Sequence, residues 1–188
     1  MKIIKILNKN LNLNSRDIKN ISNSLKFMEV KKNQFFLKSG YCNDRVAFLE
    51  EGLFRSFYYK ENNGIKSEVT NLFIEQGSFF TDFNSFKNSS ISQNTFQALE
   101  DSKIYFFTFK DLMFFRKNID GWIDFENNYF QNKILCTLYF YQKISQLNAL
   151  ESYKLFIDKY ENIANKANKK YIASFLGLSS YTLSRLRL

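Results

Sequence analysis

Residues 169–188 read KKYIASFLGLSSYTLSRLRL, and their spacing is too regular for a frayed tail. Two short helices packed at a steep angle across a tight turn need a small residue at their closest approach. They also need a turn residue free to adopt left-handed dihedrals. Ala173 supplies the first and Gly177, four residues later, the second. Ile172 and Leu176 before the turn, Leu178 within it, and Leu183 and Leu186 after it can hold the pair together. Asn168 and Ser179 stand where side-chain caps belong. The pattern predicts a helix-turn-helix.

On the second helix Ser180, Tyr181, Ser184, Arg185 and Arg187 are left facing outward. On a helix lying in the major groove of DNA, Arg185 suits base readout, because a guanidinium bonds guanine O6 and N7 together. Tyr181 and Ser184 suit added hydrogen bonds or thymine-methyl contacts beside it. Lys169, Lys170, Thr182 and Arg187 are expected on phosphate, where they orient the helix without reading sequence.

Charge points the same way. The chain of 188 residues carries a net charge of +9, and no acid follows Glu161. A basic balance gathered toward one end favours an anionic partner such as nucleic acid.

Upstream, residues 122–146 lack glycine and proline, and Ile123, Phe130, Ile134, Leu138, Tyr141 and Ile144 recur on one stripe. The stretch ILCTLYFY (134–141) is apolar almost all round, unlike a helix wetted on one side. One face can pack on the rest of the chain while another meets a second copy across a two-fold axis, so a homodimer is expected. A short helix, DLMFFRKN (111–118), precedes it, and another, ALESYKLFIDKY (149–160), follows.

Between Phe27 and Phe109 the period changes. RVAFLE, LFRSFYY, EVTNLFI and KIYFFTF read as strands, punctuated by Gly40, Gly52, Gly64 and Gly77. Asn62-Asn63-Gly64 is a tight-turn signal. An antiparallel barrel or roll is predicted, preceded by a short helix at NSRDIKNISNSLKF with Asn14 or Ser15 as its cap.

Composition closes several doors. The chain has no histidine, which removes histidine-ligated metal sites, Ser-His-Asp triads and histidine acid–base chemistry. Its two cysteines, Cys42 and Cys136, are too far apart for a CxxC site. No enzyme activity, metal or cofactor is expected, and a cupin-like metalloenzyme is disfavoured. No apolar run approaches the roughly 18 residues of a membrane span. The start, MKIIKILNKNLNLN, is too short and polar for a secretory signal. A cytoplasmic protein without membrane contact is therefore expected.

The order of these parts resembles the Crp/Fnr family of bacterial transcription regulators. FLKSG, VAFLEEGLFRSFYY, GSFFTDFNSF, QALEDSKIYFFTF and KKYIASFLGLSSYTLSRLR stand in that family's order, and the last is similar to the branch common in Bacteroidetes. The resemblance implies an α+β fold: an antiparallel β-roll of the double-stranded β-helix or jelly-roll type, a long dimerisation helix and a C-terminal helix-turn-helix. It divides the chain into a cyclic-nucleotide-binding-like sensor at 1–110, a short helix and the dimerisation helix at 111–148, and a DNA-binding unit at 149–188. It implies a homodimer on a pseudo-palindromic double-stranded operator, with Ser180, Tyr181, Ser184 and Arg185 in the base-reading slots. Many family members continue into a β-hairpin wing, whereas this sequence stops at Leu188, so a wingless reader is expected.

A second departure concerns the effector. Nucleotide-binding members hold the ribose with a Gly-Glu pair and the cyclic phosphate with an Arg followed by a small hydroxyl residue. Here Gly77 precedes Ser78, and Gln93 or Asn94 with Thr95 stand where the Arg pair would be. A buried phosphate without a countercharge is costly, so cyclic AMP is not the expected effector. The candidate pocket at Gly77, Ser78, Asn94 and Thr95 is left to hold another small ligand among the aromatics of the barrel, or none. The competing function is a small-molecule sensor whose C-terminal helices dock a protein instead of DNA.

Overall fold

A computed structural model describes residues 1–186. Two four-stranded antiparallel sheets form the roll. One runs β1 (Lys26–Val30), β8 (Ser102–Thr108), β3 (Arg45–Glu51), β6 (Phe79–Phe80), and the other β2 (Phe35–Leu37), β7 (Thr95–Ala98), β4 (Leu53–Asn62), β5 (Ile65–Glu75). The jelly-roll architecture agrees with the sequence reading.

The β4–β5 hairpin turns on Asn63 and Gly64, both at positive φ (50° and 76°). That is the backbone which Asn-Gly adopts with least strain. Alternate residues of the strands point inward, and Phe36, Leu49, Phe54, Phe80, Phe96 and Ile104 fill the space between the sheets.

The helix before the roll is α2 (Ser15–Ser24). Asn14 caps it through the N–H groups of Arg16 and Asp17, and Asp17 reaches back to complete the capping box. Before it lies α1 (Lys2–Leu11), which the sequence reading missed. Ile3 and Leu7, one helical turn apart, are fully buried against Phe48, Phe107 and Trp122. That i, i+4 pair was legible, but the surrounding lysines and asparagines obscured it. A short α3 (Phe83–Asn88) interrupts the roll between β6 and β7.

After β8 come α4 (Phe109–Asn118), capped by Thr108, and the long α5 (Trp122–Ile144), which starts at Gly121 with φ 76°. Arg116 on α4 grips Glu126 on α5 through two guanidinium nitrogens. Only Trp122 and Phe140 of α5 are buried, and the expected stripe divides. Phe130 turns to the roll, Tyr141 and Ile144 pack on the C-terminal core, Ile123 faces out, and Ile134 and Leu138 are exposed at the rim of a cavity between α5 and the roll. Leu135 and Tyr139, 63% and 60% exposed, widen that outward face.

The remaining helices are α6 (Ala149–Lys159), α7 (Glu161–Lys166), α8 (Lys169–Phe175) and α9 (Ser180–Arg185). Their core also takes in Leu53 and Leu99 from the roll and Phe140 from α5. Phe175 on α8 lies among Phe73, Phe140 and Phe156, with ring centroids 5.3–5.8 Å away. The last third of the chain is thus packed onto the roll. Among the described residues no helix is long and apolar enough to cross a membrane, and no three Cys, Asp or Glu side chains cluster as a metal site.

Candidate nucleic-acid interface

The junction of α8 and α9 is assembled slot by slot. Asn168 Oδ1 accepts the Lys170 N–H at 2.9 Å, and Ser179 Oγ accepts the Thr182 N–H at 2.9 Å. Gly177 takes φ 70°. With that left-handed residue in place, the Leu178 N–H reaches back to the Ala173 carbonyl at 2.8 Å, and the Gly177 N–H to Ser174 at 3.2 Å. This pair of bonds is a Schellman motif, which closes off the carbonyls at the end of α8. Ala173 and Leu183 are each 1% exposed and belong to the same apolar core.

What remains outside is the outward set from the sequence. Ser180, Tyr181, Ser184 and Arg185 are all exposed on α9, Tyr181 at 62%. The Arg185 guanidinium lies 4.1 Å from the centre of the Tyr181 ring. A guanidinium stacked on an aromatic face keeps its N–H edge free for a planar acceptor pair and gives up less freedom on binding. Ser184 Oγ donates to the Tyr181 carbonyl at 2.8 Å, leaving its lone pairs to accept.

Lys169 and Lys170 are exposed at the start of α8. Thr182 differs from its expected placement on phosphate. It is half-buried, and its hydroxyl lies 2.7 Å from Ser179 Oγ, inside the cap. Arg187 lies outside the described residues.

A cavity of about 610 Å³ opens between the β4–β5 sheet, α3 and α5. Ser78 and Asn94 line it, but Gly77 and Thr95 do not. Gly77 makes the turn before β6, its N–H bonded to the Leu49 carbonyl at 2.7 Å. Thr95 is buried, with its hydroxyl accepting the Ser39 N–H at 3.0 Å. These two corrections share a cause: sequence proximity to the cavity wall says nothing about which side of the chain faces it.

The sequence reading missed Asp82 and Asn71. Asp82 caps α3 through the Ser85 N–H, and its other oxygen accepts the Ser92 hydroxyl at 2.6 Å and the Asn94 amide at 2.9 Å. Burial alone would push this carboxyl up, but the bonds from Ser85, Ser92 and Asn94 outweigh it and hold it below its ordinary value. Its position before FNSF could have been read as a helix cap. Among the described residues lining the cavity, Lys133 is the one cation and Asp82 the one acid.

A carboxylate held down in the folded state stabilises fully above its unfolded pKa, and that contribution is lost as pH falls through the lowered folded value. The urea midpoint of wild type should therefore exceed that of Asp82→Asn at pH 7, and the gap should begin to narrow below about pH 4 and keep shrinking as the folded-state carboxyl is protonated. A gap independent of pH would mean that the network does not favour the anion.

No protein-family model matches the chain, and no curated protein does. Solved structures do. A regulator assigned to the Crp/Fnr family from Eubacterium rectale superposes with a TM-score of 0.70 at 16% identity, covering 93% of this chain and 82% of that one. FixK2 from Bradyrhizobium japonicum gives 0.70 at 15% identity, covering 86% and 81%. CLP from Xanthomonas campestris, a c-di-GMP-responsive global regulator, gives 0.66 at 9% identity, covering 92% and 89%. These superpositions extend over most of the chain, from the β-roll through the long α5 to the C-terminal helices, and the fold of this chain is that of the Crp/Fnr transcriptional regulators.

Proposed function

We propose that this protein is a homodimeric, sequence-specific DNA-binding transcription regulator whose sensor roll takes a small effector other than cyclic AMP. The observation that carries the reading is α9: a capped, rigidly seated helix presenting Tyr181, Ser184 and a stacked Arg185 to solvent. Lys169 and Lys170 flank it, and they suit phosphate. The exposed Ile134, Leu135, Leu138 and Tyr139 of α5 support pairing with a second copy. Such a dimer would place two α9 helices on half-sites about 34 Å apart or a multiple of that.

The cavity supports a neutral or donor-bearing effector. A cyclic phosphate would meet the Asp82 carboxylate, with the exposed Lys133 as the one cation among the described residues lining the cavity, and an unpaired buried anion is costly.

The test is base readout. Duplexes selected from a random pool by wild-type protein should bind Arg185→Ala more weakly by about 1–3 kcal/mol, with relaxed preference at one base position per half-site. An equal loss on selected and random duplex would reduce Arg185 to a phosphate contact. No duplex selection at all would favour a sensor whose C-terminal helices dock a protein.

A further inference from the structure

The cavity of about 610 Å³ between the roll, α3 and α5 joins an aromatic wall to a single anionic pole. Phe79, Phe80, Phe83, Phe96, Tyr129 and Phe130 all line it. Neighbouring rings brace one another, tilted or edge-on. Their centroids lie 5.6 Å apart for Phe80–Phe96, 6.0 Å for Phe83–Phe130, 5.7 Å for Tyr129–Phe130 and 5.3 Å for Phe79–Tyr129. Aromatic faces attract a cation held within about 6 Å of the ring.

The pole is Asp82. It is 5% exposed, and the bonds from Ser85, Ser92 and Asn94 keep it ionised. Among the described residues no lysine or arginine forms an ion pair with it. A buried charge held by hydrogen bonds alone still lacks the countercharge that would offset its desolvation.

That charge also fixes the direction of the amides beside it. An anion only accepts, so Asn94 gives it the NH₂ group and turns Oδ1 to the Asn71 amide at 2.9 Å. Asn71 is a bulge in β5, skipped between the Ser56–Leu72 and Phe57–Thr70 pairs. Its own Oδ1 is buried with no partner among the described residues. The polar end of the cavity is therefore an acceptor end, and it suits a ligand that brings donors. Lys133 opposes a cation, but it is exposed on α5, with Nζ 3.4 Å from Ser78 Oγ. Water and salt screen an exposed charge far more than a buried one.

We propose that the cavity binds an organic ammonium, with a cationic head bearing N–H donors at Asp82 and an apolar body against the Phe80–Phe96 and Phe83–Phe130 pairs. The inference rests on the reading of the cavity as the effector site and names the ligand class for it. The head supplies the countercharge that the protein does not, and the rings share its charge.

Calorimetric titration of the full chain at pH 7, with probes of one shape, separates charge from packing. The probes are 2-phenylethylamine, cationic at that pH, neutral 2-phenylethanol and anionic 3-phenylpropionate. The amine should bind about tenfold or more tighter than the alcohol, and the propionate weakest. Asp82→Asn should bring the amine down to the level of the alcohol and leave the alcohol unchanged. Where Asp82→Asn does not fold, Lys133→Met carries the test from outside the hydrogen-bond network. It should tighten the amine several-fold and weaken the propionate. Phe83→Leu, at a ring 52% exposed, should weaken the amine more than the alcohol. Equal binding of all the probes, preference for the propionate, or no amine binding at millimolar concentration would overturn the proposal. Failure of wild type to select any duplex removes the DNA-reading function instead, and leaves the order of the probes standing.

Discussion

A protein carrying Leu135→Asp and Leu138→Asp should be monomeric and should lose about 10²–10⁴ in affinity for a full palindromic operator. Both leucines are well exposed in the isolated chain, at 63% and 59%. Replacing them therefore removes little of the protomer's own core, and its thermal unfolding should change little. In a dimer the same positions would bring carboxylates together in an apolar seam, where unpaired buried charge is strongly unfavourable. Half-site binding should survive, since α9 lies elsewhere on the chain. Sedimentation and half-site titration separate these effects. A dimer that persists in the double variant would place the interface on another face.

The second large effect is on stability. Gly52→Ala should cost about 3–5 kcal/mol, the sum of backbone strain and overpacking. Gly52 sits at φ 112°, where an L side chain is strained. An added Cβ would also lie 2.1 Å from Ser102 Oγ and 2.9 Å from Ser102 Cα. The hydroxyl could rotate away, but the backbone atom belongs to β8 at the centre of the roll and cannot. Gly64→Ala is the control: its φ of 76° is strained, yet nothing lies within 4 Å, so its cost should be about 1 kcal/mol. Equal urea midpoints for the two variants would contradict the account of the β3–β4 corner.

These two glycines show what the sequence made legible. The rhythm of Gly40, Gly52, Gly64 and Gly77 announces reversals, because each position demands positive φ. It does not distinguish a turn tip in open solvent from one pressed against a neighbouring strand. The helix-turn-helix was readable in full because its requirements are local: two caps, one left-handed residue, and apolar contacts within a few turns.

The cavity was not readable, because its wall comes from β4, β5, α3 and α5, which are distant in sequence. Asp82 and Asn71 acquire their roles only when those elements meet. The polar attachment of α8 to β5, where Ser174 Oγ accepts the Thr70 N–H, was invisible for the same reason. Ser174 and Thr70 are 104 residues apart, and nothing in either local pattern calls for the other.

The most direct test of the central claim is duplex binding by wild-type protein as a function of salt, on a selected operator and on random sequence. With two or three cations per protomer on phosphate, a dimer should give a log K against log [salt] slope of about −3.5 to −5.5. The selected operator should bind about 10³-fold or more tighter than random duplex. A flat salt dependence, or equal affinity for both duplexes, would contradict the assignment of α9 as a sequence-reading helix.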